Sequence, residues 1–521
     1  MSMNYTVVSF AEFTYPDVAE YSSSSKKADA FGVRGSYAPF QVILSGLAGD
    51  GGRIDAQLTG LPDGCTAELY SLVSIPVERN ESIAPDSYRP HYPERVAPYR
   101  VYDCLKPFDG SVEVSESGIA GLYAAIRIDQ DAAPGDYECT LHVNGTLIPV
   151  SLKVYAARLP EETLKIICGY SRRAVADKHG VSEGSEEFRR LDEQYLAMLR
   201  RMHQNMMYTM SPHAVRRENN QWEFDFSDFI QQIKDYEAAG MRYFNVSGIG
   251  FRRSWSESTI IVNGMPAMSY EAYCYLSQYL PQLVKVLREH NWLDRFVIGV
   301  ADEPNAANWT EYRALCGMVR KIAPELRLID AMSHGELYGA LDIWVPLNAE
   351  YDRHRDELEM LRANGDEIWH YVCCAPREPG YINRFMDYPL LSTRYLHWGN
   401  YKYNLTGYLH WAVNCYQPGQ DPFLQSCPEH HNADSICFLP AGDTHIMYPG
   451  DGEPWMSIRL EAERAGAEEY ELLRLLAEHN KPLADELCDE VFHSFGSVEY
   501  DVAKFEDTVK RLYSAVSELQ D

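Results

Sequence analysis

The sequence predicts an α/β protein, a (β/α)8 TIM-like barrel behind an N-terminal antiparallel β-sandwich, with C-terminal helices packed on the barrel. Three observations carry this expectation. Up to about residue 160, short stretches alternate apolar and polar positions between turn residues. Beyond that point the period changes, and short apolar runs alternate with helical patterns. No G-x-G-x-x-G or phosphate-binding loop follows any of those runs, which disfavours a doubly wound nucleotide-binding sheet.

In the front segment PFQVILSGL, GCTAELYSLVSI, GLYAAIRID, YECTLHVNG and LIPVSLKVYA read as strands. Pro134-Gly135 turns the chain into one of them. Asn144-Gly145 is the strongest hairpin signal, because both residues tolerate the positive φ of a type I′ turn. Leu159-Pro160 ends the last strand, so domains are expected at 1–160 and 161–521.

The later strand candidates are 164–171, 205–212, 243–250, 296–304, 327–333, 343–350, 367–374 and 407–416. Between them SEEFRRLDEQYLAMLRRMHQN and SDFIQQIKDYEAAG are amphipathic, the second with Ser227 as its cap and Gly240 as its stop. Parallel strands need helical crossovers, and βα units in this number close most naturally into a barrel. Two further helices, from about Ser457 to Asn480 and Glu499 to Leu519, carry apolar stripes with charges elsewhere. They are expected on the barrel's outside.

With 76 acidic and 47 basic residues the formal charge is −29, which repels phosphate backbones and anionic membranes alike. Nucleic acid is not an expected partner. The start MSMNYTVVSFAEFTYPD has neither a basic region nor an apolar core, and no later run reaches the roughly 18 apolar residues of a membrane span. The expectation is a cytoplasmic protein without membrane insertion. Twelve cysteines without a C-x-x-C pair fit reduced thiols. Cys427, His430, His431 and Cys437 are zinc-ligand types in no usual structural spacing, so neither metal nor cofactor is expected.

The chemistry points to Asp302 and Glu303 in FVIGVADEP, where a buried strand runs into two acids and a proline. Barrel enzymes keep their reactive groups at such carboxyl ends. Glycoside hydrolysis ordinarily uses two carboxyl groups on opposite sides of the scissile bond; resemblance to known barrel glycosidases would put one on the fourth strand and the other on the seventh. Here that strand ends in Tyr371-Val372-Cys373-Cys374-Ala375-Pro376, with no acid until Glu378. An adjacent pair suits a substrate whose own 2-acetamido oxygen attacks the anomeric carbon. Asp302 then holds the acetamido group and stabilises the oxazolinium, and Glu303 serves as general acid and base. Neighbouring carboxylates repel, so an ionised Asp302 is expected to keep the proton on Glu303.

GVADEP, WHYVCCAPREPGYINRFMDYPLLSTRYLHWGNYKYNLTGYLHWAVNCYQPGQDP and PAGDTHIMYPGDGEPWMSIRLEAERAGAEEYELL together resemble glycoside hydrolase family 123 and its wider relatives of unknown function. APGDYECTLHVNG and VYAARLP extend the resemblance to the front segment. It implies an exo-acting β-N-acetylgalactosaminidase on a barrel, retaining by substrate assistance, with the family's Asp-Glu pair at Asp302 and Glu303. The implied partner is a glycan or glycoconjugate with a terminal β-linked 2-acetamido sugar.

Aromatic and polar residues at other strand ends suit a sugar pocket: Tyr371, Trp411, Asn414, Tyr416 and His213, with Arg394 and Asp443 as further substrate-binding candidates. By analogy with other substrate-assisted hexosaminidases, Tyr371 would bond the acetamide oxygen and Trp411 wall the acetyl methyl. Two other readings stay open. A sugar without an acetamido group would need a second carboxylate such as Asp330 or Glu350, and a retired barrel would bind carbohydrate without turning it over.

Overall fold

The computed structural model describes residues 3–47, 52–80, 95–246, 248–332, 337–378, 380–431 and 436–520. Two sheets pack face to face at the front. One runs in spatial order Asn4–Val8, Tyr37–Ser45, Ile119–Ile128, Cys65–Val77, Tyr99–Pro107, Pro454–Ser457, Met447–Pro449, every neighbouring pair antiparallel. The other runs Ala28–Arg34, Thr146–Arg158, Gly135–Val143, Ala56–Thr59. The all-antiparallel expectation fails at one pair, since Ala28–Arg34 lies parallel to Thr146–Arg158. No hairpin joins those two strands, so no turn dictates their direction. Asn144 (φ 47°) and Gly145 (φ 78°) make the expected tight turn, with Val143 opposite Thr146. Phe40 and Val42 of the first sheet meet Leu141, Val150 and Leu152 of the second in the core between them.

The seven-stranded sheet is buried on its other face too, where Val8, Leu72, Tyr102 and Tyr123 join the main core. That double burial explains why IAGLYAAIRI is almost continuously apolar. Helix Ile458–Val491 packs there, and it departs most from expectation. Read as an outer helix with its charges in water, it is buried on every side from Ile458 to Leu473. Its charges find partners remote in sequence: Arg459 with Asp103 at 2.9 Å, Glu461 with Arg201 at 2.6 Å, Glu463 with Arg384 at 3.3 Å, and Glu469 with Arg394. An apolar stripe cannot reveal such partners, and each charge left unpaired would be strongly destabilising. Ser457 caps the helix, its Oγ accepting from the Leu460 N–H at 3.1 Å. Asn480, where the sequence ended the helix, is a kink (φ −147°) followed by Pro482.

The chain's parallel strands stand in sequence order. Met206–Thr209, Tyr243–Val246, Phe296–Gly299, Arg327–Ala331, Ile343–Val345 and Glu367–Ile368 form a six-stranded sheet, and Lys165–Cys168, Gly407–His410 and His370–Tyr371 a three-stranded one. Each run read from the sequence is a strand, but they do not form the single closed ladder expected of a barrel. The seventh strand is split at Trp369, its first half pairing with the sixth strand and its second with the eighth. The first two strands are joined by the Asn205 N–H to the Ile166 carbonyl at 3.3 Å, without a ladder. Trp369 also explains Gly407, where a Cβ would meet the indole at 2.1 Å.

Helices Glu186–Arg201, Ser227–Ala238, Tyr270–Glu289, Trp309–Ile322 and Leu390–Lys402 are among the crossovers. Ser227 lies inside its helix and does not cap it; Asp225 Oδ1 accepts the Ser227 N–H at 2.9 Å. Gly240 (φ 89°) follows the helix end, as read. No helix among the described residues is long and apolar enough to cross a membrane. The twelve cysteines are free. Among the described residues no three His, Cys, Asp or Glu side chains gather as metal ligands. His430 faces Gln417 at 3.0 Å and Cys427 Sγ the Arg79 carbonyl at 3.4 Å.

Candidate active site

The carboxyl ends of the parallel strands converge on a cavity of about 320 Å³, a size that accommodates a monosaccharide. Gly169, Tyr208, Asn245, Asp302, Asp330 and Trp411 line it, contributed by the first, second, third, fourth, fifth and eighth strands or the residues just after them.

Beyond Gly299 the fourth strand leaves the ladder. The N–H groups of Val300 and Ala301 donate to Asp330 Oδ2 at 3.0 and 2.9 Å, and the Tyr312 hydroxyl reaches the same oxygen at 2.6 Å. The chain then turns sharply. Asp302 (φ 40°) and Glu303 (φ 39°) both occupy the left-handed region, which costs a non-glycine residue on the order of 1–3 kcal/mol. Glu303 does so although it precedes Pro304, a position that ordinarily favours extended backbone. Surrounding groups hold the turn: the Glu303 N–H donates to the Ala331 carbonyl at 3.1 Å, and Arg252 Nη2 donates to the carbonyls of Asp302 and of Glu303, the latter at 2.9 Å. Two acids are thereby fixed in a conformation that neither would adopt alone.

Tyr371, at the end of the seventh strand, donates its hydroxyl to Glu303 Oε1 at 2.6 Å. The expected bond from that hydroxyl to an acetamide oxygen concerns a bound sugar; within the protein it orients the acid. Burial, and the negative Glu303 beside it, hold the phenol well above its ordinary pKa, so it remains a donor. Trp411 Nε1 donates to both oxygens of Asp443 at 3.2 Å, and His410 Nε2 stands 3.4 Å from Asp443 Oδ1. Asp443 is fully buried, with its pKa pushed up to about 7 by that burial. It sets the plane of the Trp411 ring and does not itself line the cavity.

Three carboxyl groups crowd this site. Burial first, then the charges of Glu303 and Asp330, push Asp302 up to about 7, while Arg252 pulls it down. Its side chain is open to the cavity with protein on its other sides, so water there screens part of the push. Asp330 rises to about 6 through burial, opposed by the hydrogen bonds it accepts. The expectation that Asp302 is the ionised member of the pair therefore changes. In this arrangement Asp302 is the group driven toward its protonated form.

The remaining candidates lie elsewhere. Asn414 is a strut, its Oδ1 accepting from the Ser171 N–H at 2.8 Å and its Nδ2 donating to the Ser171 carbonyl at 3.0 Å. Tyr416 donates to the Met447 carbonyl at 2.8 Å. Arg394 is buried against Glu469, and His213 is exposed on the hairpin of His213–Arg216 with Trp222–Asp225. None of these four lines the cavity. Glu350, one possible second carboxylate, pairs with Arg353 away from the cavity.

Sequence reasoning passed over Tyr208, Asn245 and Arg252. Asn245 left a signal as an amide at the end of an apolar strand, and its Oδ1 accepts the Gly299 N–H at 3.2 Å. Arg252 left none, because its partners are backbone carbonyls some fifty residues away.

The glycoside hydrolase 123 catalytic domain matches residues 170–476, more than half of the chain. The structure superposes on a family 123 glycoside hydrolase from Clostridium perfringens, described in a study of glycolipid glycan hydrolysis, with a TM-score of 0.75 and 13% identity over 100% of this chain and 97% of that one. A putative β-galactosidase from Bacteroides fragilis matches 80% of this chain and 57% of its own at 12% identity, but its TM-score of 0.29 is too slight to argue from. No curated protein sequence matches. The domain match defines the protein's class, a glycoside hydrolase. The chain belongs to family 123 of those enzymes.

Proposed function

We propose that this enzyme releases terminal β-linked N-acetylhexosamine, with N-acetylgalactosamine as the favoured sugar, from a glycan or glycolipid glycan by retaining, substrate-assisted hydrolysis. The two parallel sheets are read as the wall of one (β/α)8 barrel. One observation carries the proposal: the acids at the end of the fourth strand sit side by side, while the seventh strand supplies Tyr371, bonded to Glu303. A conventional dyad needs a second carboxyl group across the scissile bond, about 5–9.5 Å away. Asp330 is a poor candidate, because its Oδ2 is already occupied by two backbone N–H groups and Tyr312.

The acetamido oxygen attacks the anomeric carbon as the glycosidic bond breaks, and Glu303 gives its proton to the leaving oxygen. Asp302 accepts the acetamide N–H and stabilises the cationic oxazolinium ring. Both contacts favour an ionised Asp302, so substrate draws its proton away. Glu303, beside it, is the acid placed to serve the leaving group. Water next attacks the anomeric carbon, returning a proton to Glu303 and reopening the ring. The galacto preference is carried over from the family resemblance.

Turnover of 4-nitrophenyl β-GalNAc, β-GlcNAc and β-galactoside tests this. Both acetamido sugars should be cleaved, GalNAc faster, and an N-acetyl thiazoline should inhibit competitively. Cleavage of the galactoside that is indifferent to the thiazoline would sink substrate assistance. Tyr371→Phe removes the hydrogen bond that orients the protonated acid, about 0.5–1.5 kcal/mol, so kcat should fall about 2–10-fold with KM little changed. An unchanged kcat would show that Tyr371 does not orient the acid.

A further inference from the structure

The loop that grips the catalytic turn also leaves two large aromatic side chains in water. Phe251 is 55% and Trp255 59% exposed. Their exposure is not that of a frayed loop. Phe251 and Ile261 exchange two backbone hydrogen bonds of 2.9 Å, the Ile260 N–H donates to Glu311 at 2.8 Å, and Asn308 Nδ2 donates to the Glu257 carbonyl at 3.2 Å. The Trp255 carbonyl accepts from Asn305 Nδ2 and from Arg252 Nη1, each at 2.6 Å. The other end of that same guanidinium holds the Asp302 and Glu303 carbonyls. The main chain of Trp255 is therefore one guanidinium away from the main chain of the acid.

Asp302 lines the cavity, whereas Glu303, Phe251 and Trp255 do not. With the sugar ring seated in the cavity beside Asp302, the leaving oxygen faces Glu303, and what is attached to that oxygen extends toward the rim. We propose that Phe251 and Trp255 form a leaving-group platform on which the first sugar of the aglycone stacks the apolar face of its pyranose ring. This rests on the glycosidase reading above and adds to it the ring on the far side of the scissile bond. An indole on a main chain that is held in place suits that task, because it offers a broad apolar surface and only two side-chain torsions to order on binding. The tie through Arg252 to the carbonyls of Asp302 and Glu303, with Gly248 of the same loop lining the cavity, sets the platform apart from apolar side chains scattered singly on the surface.

The test compares Trp255→Ala and Phe251→Ala with wild type on three substrates: a GalNAc-β-galactose disaccharide, an alkyl β-GalNAc, and N-acetyl-β-galactosaminyl fluoride, whose leaving group is too small to reach the rim. The expected result for Trp255→Ala is a loss of kcat/KM of about tenfold or more on the disaccharide, with less than about twofold change on the fluoride and an unaltered melting temperature. Phe251→Ala should show the same pattern more weakly. Equal loss on all three, or no loss on the disaccharide, would overturn the platform. A loss on the alkyl glycoside as large as on the disaccharide would assign the surface to a lipid aglycone and overturn the sugar assignment. Inactivity of wild type on every substrate would instead overturn the glycosidase reading. Calorimetric binding of the uncleaved disaccharide to Glu303→Gln, with and without Trp255→Ala, reads the platform independently of turnover, and no weakening in the double variant counts against it.

Discussion

Glu303→Gln should lower kcat on a GalNAc disaccharide by about a thousandfold or more, within the range that a positioned general acid contributes. The amide keeps the shape of the side chain and can still accept from Tyr371, so the turn should survive and the loss should be chemical. A graded set of leaving groups provides the check. A 4-nitrophenolate departs with little need of a proton, so the variant should lose far less on the aryl glycoside than on the disaccharide in the first step. Equal losses on both would remove Glu303 from the role of acid.

Asp302→Asn should lower kcat by about 10²–10³-fold, the usual effect of removing one group that stabilises transition-state charge. Asparagine tolerates left-handed backbone, so the φ of 40° at this position adds no new strain. If Asp302 were a nucleophile, azide would yield an α-glycosyl azide from this variant. None is expected, because the nucleophile belongs to the substrate.

Stability supplies an independent reading of the same residue. The Asp302 carboxyl ionises near 3.8 in an unfolded chain but only at about 7 in the folded protein. Between those values the folded state keeps a proton that the unfolded state has lost. The stability this confers is full below 3.8 and is lost as pH rises through about 7. Asparagine does not titrate, so the melting temperature of Asp302→Asn relative to wild type should be near parity at about pH 4 and higher by about pH 8. A difference that shrinks as pH rises would contradict the raised pKa.

The strands and the acidic pair were legible because each rests on local pattern. FVIGVADEP announces both a buried strand and its reactive end within nine residues. Asn144-Gly145 fixed a hairpin in two. What stayed hidden depends on contacts between distant segments. The positive φ of Asp302 and Glu303 is imposed by Arg252, Ala331 and Asp330 from neighbouring strand ends, and nothing in a dipeptide foretells it. The bond from Tyr371 to Glu303 likewise joins two strand ends that lie far apart in sequence. Asn414 and Tyr416 were chosen by residue type at a strand end and Arg394 by residue type alone, yet their polar atoms meet protein partners away from the cavity. Helix Ile458–Val491 misled for the same reason, since a charged residue looks exposed until its counter-ion is found.

That helix and the hairpin before it bear on where the enzyme can be cut. Pro454–Ser457 adds an edge to the front sheet, with Met456 opposite Leu105 and Ser457 opposite Cys104. Severed after residue 160, the catalytic portion would lose Asp103 from Arg459, Tyr123 from Glu461 and Ser36 from Glu468. It would also expose a bare strand edge of the kind that recruits other chains into aggregates. The region by which the family is recognised, 170–476, is therefore not expected to fold on its own. The front sheet is the missing half of its core, and a shortened enzyme for crystallography or display should retain the chain from its first strand.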